Sequence, residues 1–419
     1  MIMERFDVIV IGSGALGSST AFHLAKLGKK VALLDKADIA SQTSARAAGL
    51  SGHLRQTEAM TKLSTYAVSK IERFSEETGE PMEFYQPGSM SCARRPEDVA
   101  LIRERVAMGQ RLRISAELIS PDEARAKNPF LETKGILAVS YMKRDVYLEP
   151  DQVPRGYARA AAKLGATLMA NTRVLEIVVE NGAATRVVTD RGEFAASALV
   201  DAAGGWLRLV AAMAGAQAPV IPMRHQLMIT TPLAAVKPTQ PVTRILDANV
   251  YVRPDKGGLM FGGYEPDPKP YDRDTLASEF KIEHLELDIS VLRRLADSVK
   301  DQFPIFQEHL DLQVHRGGLP TMTIDGEHIV GEAPGVRGLY VIGGCNVGGL
   351  SVSPALGQML SELITTGETS HDISRMSPSR FARGISEQEL QEGCRERYAK
   401  YYTFRIGQVP VPSVAAASA

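Results

Sequence analysis

The sequence predicts an α/β fold: a dinucleotide-binding Rossmann-like unit joined to an α+β domain built on a mixed β-sheet. Three observations carry this reading. The N-terminus reads strand, glycine-rich turn, helix, strand; a second strand–glycine–helix unit stands at 339–365; and β-type patterns fill much of the stretch between them.

Residues 8–11 are an uninterrupted apolar run, as expected of a strand buried on both faces of a parallel sheet. Gly12-Ser13-Gly14-Ala15-Leu16-Gly17 follows, then a helical pattern through Ala21, Phe22, Ala25 and Leu27 that stops at Gly28, a left-handed cap. Residues 31–35 form a second strand. A helix is expected over 63–78, a turn at 86–89, and mixed helices and loops over 91–144, with one helix opening at Pro121. Another helix runs from 149–151 to 164–166. Runs at 174–179, 185–189 and 199–201, split by Asn181-Gly182 and Arg191-Gly192, read as a β-meander inserted into the α/β sheet. Residues 223–230 and 249–263 are strand-like with a Pro-rich loop between them, and a polar helix is expected over 276–301. A strand at 339–342, a helix over 353–365 and an Ala/Ser tail at 414–419 complete the pass. The expected division assigns 1–90, 145–220 and 330–390 to nucleotide binding, 91–144 and 221–329 to the substrate, and 391–419 to a C-terminal tail.

The 419 residues suffice for two or three domains at about 150 residues each. With 48 basic and 49 acidic side chains, there is no electrostatic reason to expect nucleic acid or an anionic membrane as a partner. Cys92, Cys345 and Cys394 lie far apart, and neither CxxC nor HExxH spacing occurs. That argues against zinc and against a disulfide framework, and suits a reducing cytoplasm, the expected location. No stretch approaches the roughly 18 apolar residues of a membrane span, and no basic leader precedes the first strand.

The glycines carry the chemistry. In Gly12-x-Gly14-x-x-Gly17, Gly12 permits a tight turn, Gly14 lets a pyrophosphate approach the backbone, and Gly17 lets the helix pack closely on the strand. The helix N-terminus offers unpaired N–H groups to the phosphates. Asp35, 21 residues after Gly14, stands where an acid binds ribose hydroxyls, and Lys36 follows it. The motif alone does not separate FAD from NAD.

Two later elements favour FAD: Val200-Asp201-Ala202-Ala203-Gly204-Gly205-Trp206, and Gly343-Gly344-Cys345-Asn346-Val347-Gly348-Gly349-Leu350-Ser351. With them stand Ala47-Ala48-Gly49-Leu50, the stretch from Thr78-Gly79-Glu80 to Phe84-Tyr85-Gln86-Pro87-Gly88-Ser89, and His225-Gln226. Gly258-Leu259-Met260-Phe261-Gly262-Gly263-Tyr264-Glu265-Pro266 and Thr323-Ile324-Asp325-Gly326 complete the set. On these residues the chain resembles the flavin-dependent amine oxidoreductases of the D-amino acid oxidase type. It is especially similar to the flavin half of dimethylglycine and sarcosine dehydrogenases and oxidases, over nearly its whole length.

The resemblance implies FAD and a glutathione-reductase/D-amino acid oxidase type of nucleotide domain. Gly12, Gly14, Ala15, Leu16, Gly17, Asp35 and Lys36 would hold it at the N-terminal sheet, with Ser41, Ser44, Ala45, Arg46, Ala48, Gly49 and Leu50 following. Val174 would meet the adenine edge. Ala202, Ala203, Gly204, Trp206, Gly318 and Gly344 join them, and Gly348, Gly349, Leu350 and Ser351 would present helix N–H groups to the flavin N1/C2=O edge. Ser41 and Ser44 would serve equally as helix caps, and the Gly348 turn as plain packing. Relatives that bind FAD covalently use a His where Arg46 stands, or a Cys where Gly318 stands, so non-covalent FAD is expected. Met260 replaces a lysine that promotes reaction with oxygen in monomeric sarcosine oxidase, which favours a dehydrogenase over an oxidase.

For the substrate, a small amino-acid-like amine, the resemblance points to His225 and Tyr251. His225 would accept a proton or orient the amine. Arg253, two residues on from Tyr251 on an alternating strand, would share its face and bind a carboxylate, and His53 and Arg55 would lie over the flavin. The expected reaction is hydride transfer from a secondary or tertiary amino acid to flavin N5, with an N-methyl substrate giving formaldehyde and the shorter amine. The alternatives are an oxidase of D-amino acids, opines or cyclic imino acids, or the flavin subunit of a heteromeric amine dehydrogenase. The chain stops near where a folate-binding domain begins in such relatives, so a separate folate-binding subunit or an electron-acceptor protein is the partner class expected.

Overall fold

The computed structural model describes residues 3–271, 273–276, 280–308, 311–382 and 384–404. The expected Ala/Ser tail at 414–419 lies outside them.

Two eight-stranded sheets organise the chain. In the first, the order is Val174–Glu180, Ala183–Thr189, Gly192–Asp201, Glu4–Ile11, Val31–Leu34, Thr167–Met169. Glu4–Ile11 runs parallel to both of its neighbours, and Leu339–Gly343 joins the far half of Gly192–Asp201, also parallel. The meander thus feeds its last strand into the middle of the sheet. Side chains alternate across it: Val8, Val10, Val31 and Leu33 pack beneath the helices Ala15–Lys26 and Gly349–Thr366, whereas Ile9, Ile11, Ala32 and Leu34 join Leu207 and Val210 on the other face. Burial on both faces is why these strands read as continuous apolar runs rather than alternating ones. The two helices approach closely because their contact is made of small residues: a Cβ on Gly357 would lie 2.3 Å from Ser19 Oγ.

The second sheet has the order Leu312–Gly318, His225–Thr230, Gly258–Gly263, Val250–Asp255, Val242–Ile245, Ser89–Ala93, Ala138–Met142, Ala116–Ile119. All its pairs are antiparallel except Val242–Ile245 with Ser89–Ala93. Met228, Val250, Val252 and Phe261 pack under the helix Ile289–Asp297, and Leu227, Ile229, Tyr251 and Met260 face the opposite way, toward Ala48 and Leu50 of the first unit. That second face carries the chemistry.

Several elements differ from expectation. The strand Ser89–Ala93 straddles the expected boundary at 90. The helix placed at 63–78 starts earlier, at Glu58, where the Thr57 hydroxyl accepts the Met60 N–H, and a break at Arg73 separates it from Phe74–Thr78. The polar helix expected over 276–301 is only Ile289–Asp297, because Asp288 caps Ser290 N–H and the buried Leu285 before it docks against Leu319; residues 277–279 lie outside the described residues. The final helix opens at Gly349 rather than 353. Pro354 cannot donate to the Leu350 carbonyl, and the Ser353 hydroxyl does so instead at 2.9 Å. The Pro-rich loop between 230 and 249 contains the strand Val242–Ile245. Residues 391–404 do not trail away as a tail: the helix Glu387–Ala399, opened by a Ser386/Glu389 capping box, buries Leu390, Cys394 and Tyr398 against the second unit. Among the described residues no helix is long and apolar enough to cross a membrane.

Candidate active site

A cavity of about 700 Å³ is lined by residues of both sheets, within the usual range of small-molecule sites. The glycine-rich turn forms one wall. Gly12 has φ +104°, and a Cβ there would lie 2.5 Å from the Ala202 carbonyl oxygen. At Gly17 it would lie 1.9 Å from the Gly12 oxygen, so this glycine sits behind the wall and permits the turn rather than lining it. Gly14 lines the cavity with its backbone exposed, and the next N–H, of Ala15, donates to Ser44 Oγ at 3.0 Å. Asp35 accepts hydrogen bonds from Ser13 N–H (2.8 Å), Ser13 Oγ (2.6 Å) and Ala37 N–H (2.9 Å). Burial nonetheless raises its carboxyl pKa above the ordinary value. Lys36 lies over the Trp206 ring, 3.6 Å from its centroid, and both line the cavity.

Of the other residues singled out in the sequence for the cofactor, Leu16, Arg46, Ala48, Gly49, Leu50, Val174, Ala202, Ala203, Gly204, Gly318, Gly348, Gly349, Leu350 and Ser351 also line the cavity. Ser41, Ala45 and Gly344 do not. Ser41 Oγ accepts from the side chain of its neighbour Gln42, and Gly344, at φ +58°, is backed by Thr323, whose Cγ2 would be 2.6 Å from a Cβ. Arg46 lines the cavity while pairing with Glu283 at 2.9 Å.

The loop ahead of Gly349–Thr366 is held under strain. Asn346 and Val347 both have positive φ, +42° and +61°, a region that a β-branched residue rarely visits. The Asn346 side chain holds this shape by donating to the Gly344 and Glu327 carbonyls and accepting from Thr323 N–H. The loop delivers the positive end of an 18-residue helix to the cavity. Arg55 reinforces it, donating to Ser351 Oγ at 2.6 Å and to Ser64 Oγ at 2.8 Å.

On the second sheet, the side chains of His225 and Tyr251 meet. His225 Nδ1 lies 2.7 Å from Tyr398 Oη and Nε2 lies 3.0 Å from Tyr251 Oη. Tyr398 donates its proton to the Arg224 carbonyl (3.0 Å), so it must accept from Nδ1–H. Nε2 therefore carries the lone pair and accepts from the Tyr251 hydroxyl. Burial pulls the imidazole pKa down to about 4, so it is neutral around pH 7, and burial also pushes Tyr251 well above the ordinary tyrosine value.

Two substrate-side expectations are corrected. Arg253 does not reach the cavity. It is about 1% exposed, donates to the Ala48 (2.8 Å) and Pro254 (2.6 Å) carbonyls and pairs with Asp255 at 3.2 Å, so its charge is spent on structure. His53 is likewise turned inward. Its N–H and Nδ1 both meet Asp145 Oδ1, at 2.9 and 2.8 Å, and Ser89 donates to Asp145 Oδ2. Burial alone would raise Asp145, but these hydrogen bonds hold it below the ordinary carboxylate range. Met260 is fully buried with Leu227 and Ile229 and is not among the lining residues.

Sequence reasoning missed Arg244, Tyr401 and Tyr402, which line the cavity with Tyr264. Tyr264 stacks on Tyr401 with centroids 4.1 Å apart. One signal was present: Tyr398, Tyr401 and Tyr402 crowd five positions of a chain that is only 6% aromatic.

Comparison with known proteins agrees with this geometry. The family described as DAO, FAD dependent oxidoreductase, matches residues 7–363. The mitochondrial dimethylglycine dehydrogenase of Homo sapiens is 29% identical over 404 residues, covering 94% of this chain and 46% of its own length. A 4-methylaminobutanoate oxidase (formaldehyde-forming) of Paenarthrobacter nicotinovorans is 28% identical over 94% of this chain and 48% of its own. The chain thus spans about half the length of these curated relatives. Among solved structures, the L-proline dehydrogenase from P. horikoshii superposes with a TM-score of 0.82 at 25% identity, covering 91% of this chain and 99% of that one.

Proposed function

The chain belongs to the DAO family of FAD dependent oxidoreductases and takes FAD as its cofactor, and on that footing we propose that it oxidises a secondary or tertiary amino acid bearing an N-methyl group. The observation that carries the proposal is the hydrogen-bonded row Tyr251–His225–Tyr398 at the edge of the cofactor cavity.

FAD fits the residues present. The glycine turn leaves backbone open where a side chain would block it, two helix N-termini face the cavity, and Arg55 adds positive charge beside Ser351. Gly12, Gly14, Ser44 and Asp35 would hold the phosphate and ribose portion, and Gly348 to Ser351 the ring. When bound, the flavin supplies a two-electron acceptor for the C–H bond beside the amine nitrogen. The protein's part is proton handling and orientation. An amino acid arrives as its ammonium form, whose nitrogen has no lone pair to assist oxidation. Tyr251 Oη can accept that ammonium proton while passing its own to His225 Nε2, and Nδ1–H, held by Tyr398, stabilises the imidazolium so formed. An N-methyl amine oxidised at the methyl carbon becomes an iminium, which water hydrolyses to formaldehyde and the demethylated amine.

The test is direct. FAD-loaded protein given sarcosine or N,N-dimethylglycine and an artificial electron acceptor should release one formaldehyde per amine consumed. No formaldehyde from any N-methyl amino acid, with flavin reduction by D-amino or cyclic imino acids instead, would replace this reading with the oxidase alternative. Met260 puts a thioether, not a cation, at that strand position, which favours a dehydrogenase, so reduced enzyme mixed with air in a stopped-flow cell should reoxidise slowly. FAD is proposed to be non-covalent, and acid precipitation should leave the yellow colour in the supernatant. A separate electron-accepting or folate-binding protein is the proposed partner, and a reducing cytoplasm, which suits three unbridged cysteines, the proposed setting.

A further inference from the structure

We propose that Arg244, with the Tyr402 hydroxyl beside it, anchors the substrate carboxylate, so that the site selects small amino-acid anions over plain amines. The proposal rests on the amine-oxidising reading above and names the group that determines its substrate class.

The register of the second sheet places it. In the antiparallel pair Val242–Ile245 and Val250–Asp255, Arg244 stands directly opposite Tyr251. Residues so paired project from the same face with Cβ atoms roughly 5 Å apart. Both line the cavity, whereas Thr243 and Ile245 on either side of Arg244 are buried on the other face. An α-amino acid separates its nitrogen and its carboxylate by a single carbon. Two neighbouring side chains, one handling the ammonium proton and one fixed positive charge, match that span.

Charge points the same way. Three other arginines set into the fold have acids of their own: Arg224 pairs with Glu265 at 2.7 Å, Arg253 with Asp255 at 3.2 Å, and Arg380 with Asp325 at 2.7 Å. No carboxylate among the described residues forms such a pair with Arg244. Asp145, which feels its charge, already receives three hydrogen bonds from His53 and Ser89. Nor is the charge diluted by its neighbours. Arg105 lies close enough that Arg244 adds to the effect of burial in lowering its pKa to about 10. Arg105 also donates to the Tyr402 carbonyl at 3.0 Å, fixing the residue whose phenol adjoins Arg244. A guanidinium that lines the cavity beside a phenol and without a carboxylate partner is built to receive a planar anion through two parallel N–H donors.

The experiment uses the full, FAD-loaded chain and two probes that contain no nitrogen and so cannot be oxidised as amines. Methoxyacetate is the ether counterpart of N-methylglycine, and 2-methoxyethanol keeps its skeleton without the carboxylate. Binding is read by perturbation of the flavin absorbance and by calorimetry. Wild type should bind methoxyacetate and ignore 2-methoxyethanol. Arg244→Met should weaken methoxyacetate about 30-fold, Arg244→Lys should recover part of that loss, and Tyr402→Phe should cost about threefold. A variant that retains FAD and a cooperative melt yet binds methoxyacetate within threefold of wild type overturns the proposal, as does a wild type that binds both probes alike or neither. If Arg244→Met fails to fold, Arg244→Lys and Arg244→Gln carry the comparison. Methoxyacetate bound through Arg244 in an enzyme whose flavin no N-methyl amino acid reduces would leave the anchor standing and remove the proposed reaction.

Discussion

Tyr251 Oη, 3.0 Å from a neutral, buried His225 Nε2, is the atom on which proton handling turns. Tyr251→Phe and His225→Asn should each lower kcat/KM by about 10²- to 10⁴-fold while FAD affinity stays near wild type. Tyr398→Phe, which removes only the support of Nδ1, should cost less. Flavin reduction rates measured across the three variants check the order. Arg253 makes the opposite case. Arg253→Met leaves Asp255 buried without its partner and should cost about 3–5 kcal/mol in denaturant unfolding. Should that variant unfold normally and lose only amino-acid binding, the structural assignment is wrong. The contrast also shows what was legible at this scale. His225 and Tyr251 came from the family resemblance rather than from the residue pattern, which alone does not single out either. Period-two alternation put Arg253 on the same face as Tyr251, correctly, but alternation says nothing about depth, and a neighbouring Asp255 and the Ala48 carbonyl take up its charge.

Among the elements, the glycine turn and its helix were legible because steric exclusion dictates them: backbone packs where Gly12 and Gly17 would carry a side chain. The strand Val242–Ile245 was not, because four residues are too few to show a period and Pro232, Pro238 and Pro241 announce a loop. Its place in the sheet depends on a partner distant in the chain, Ser89–Ala93, as well as on the neighbouring strand Val250–Asp255, so Arg244 went unread. The helix Glu387–Ala399 carried a readable Ser386/Glu389 capping box, but its docking depends on tertiary contacts through Tyr398. The strained turn before Gly349–Thr366 yields a prediction of its own. Val347→Gly should relieve the backbone and raise stability by about 1 kcal/mol, whereas Asn346→Ala should free the loop and weaken FAD binding about tenfold or more. Melting temperature with FAD titration separates the two, and a Val347→Gly that destabilises the fold would mean that the turn stores no strain.

For the whole molecule, buried neutral histidines tie stability to pH. Burial lowers His225 to about 4 and His328 to about 3, against 6.5 for an exposed imidazole. The unfolded chain therefore takes up these protons first as pH falls below 6.5, and the folded state loses stability down to about pH 4. His328 has no hydrogen-bond partner on either ring nitrogen and does not line the cavity. His328→Leu should thus stabilise the protein by about 2 kcal/mol more at pH 5 than at pH 8. An equal gain at both pH values would contradict the neutral, buried state. At this scale the α/β class and the FAD-binding family were readable from the glycine elements at both ends of the chain. The way the second sheet presents one face to the cavity was not, since that face is assembled from segments as distant as Ser89–Ala93 and Leu312–Gly318. Amine oxidation at this cavity is tested most directly by anaerobic titration of the FAD-loaded protein with N,N-dimethylglycine. Flavin absorbance near 450 nm, the oxidised-flavin band, should bleach about stoichiometrically in wild type and far more slowly in Tyr251→Phe and His225→Asn. Unchanged absorbance in wild type across secondary and tertiary amino acids, or bleaching at equal rates in all three proteins, would contradict it.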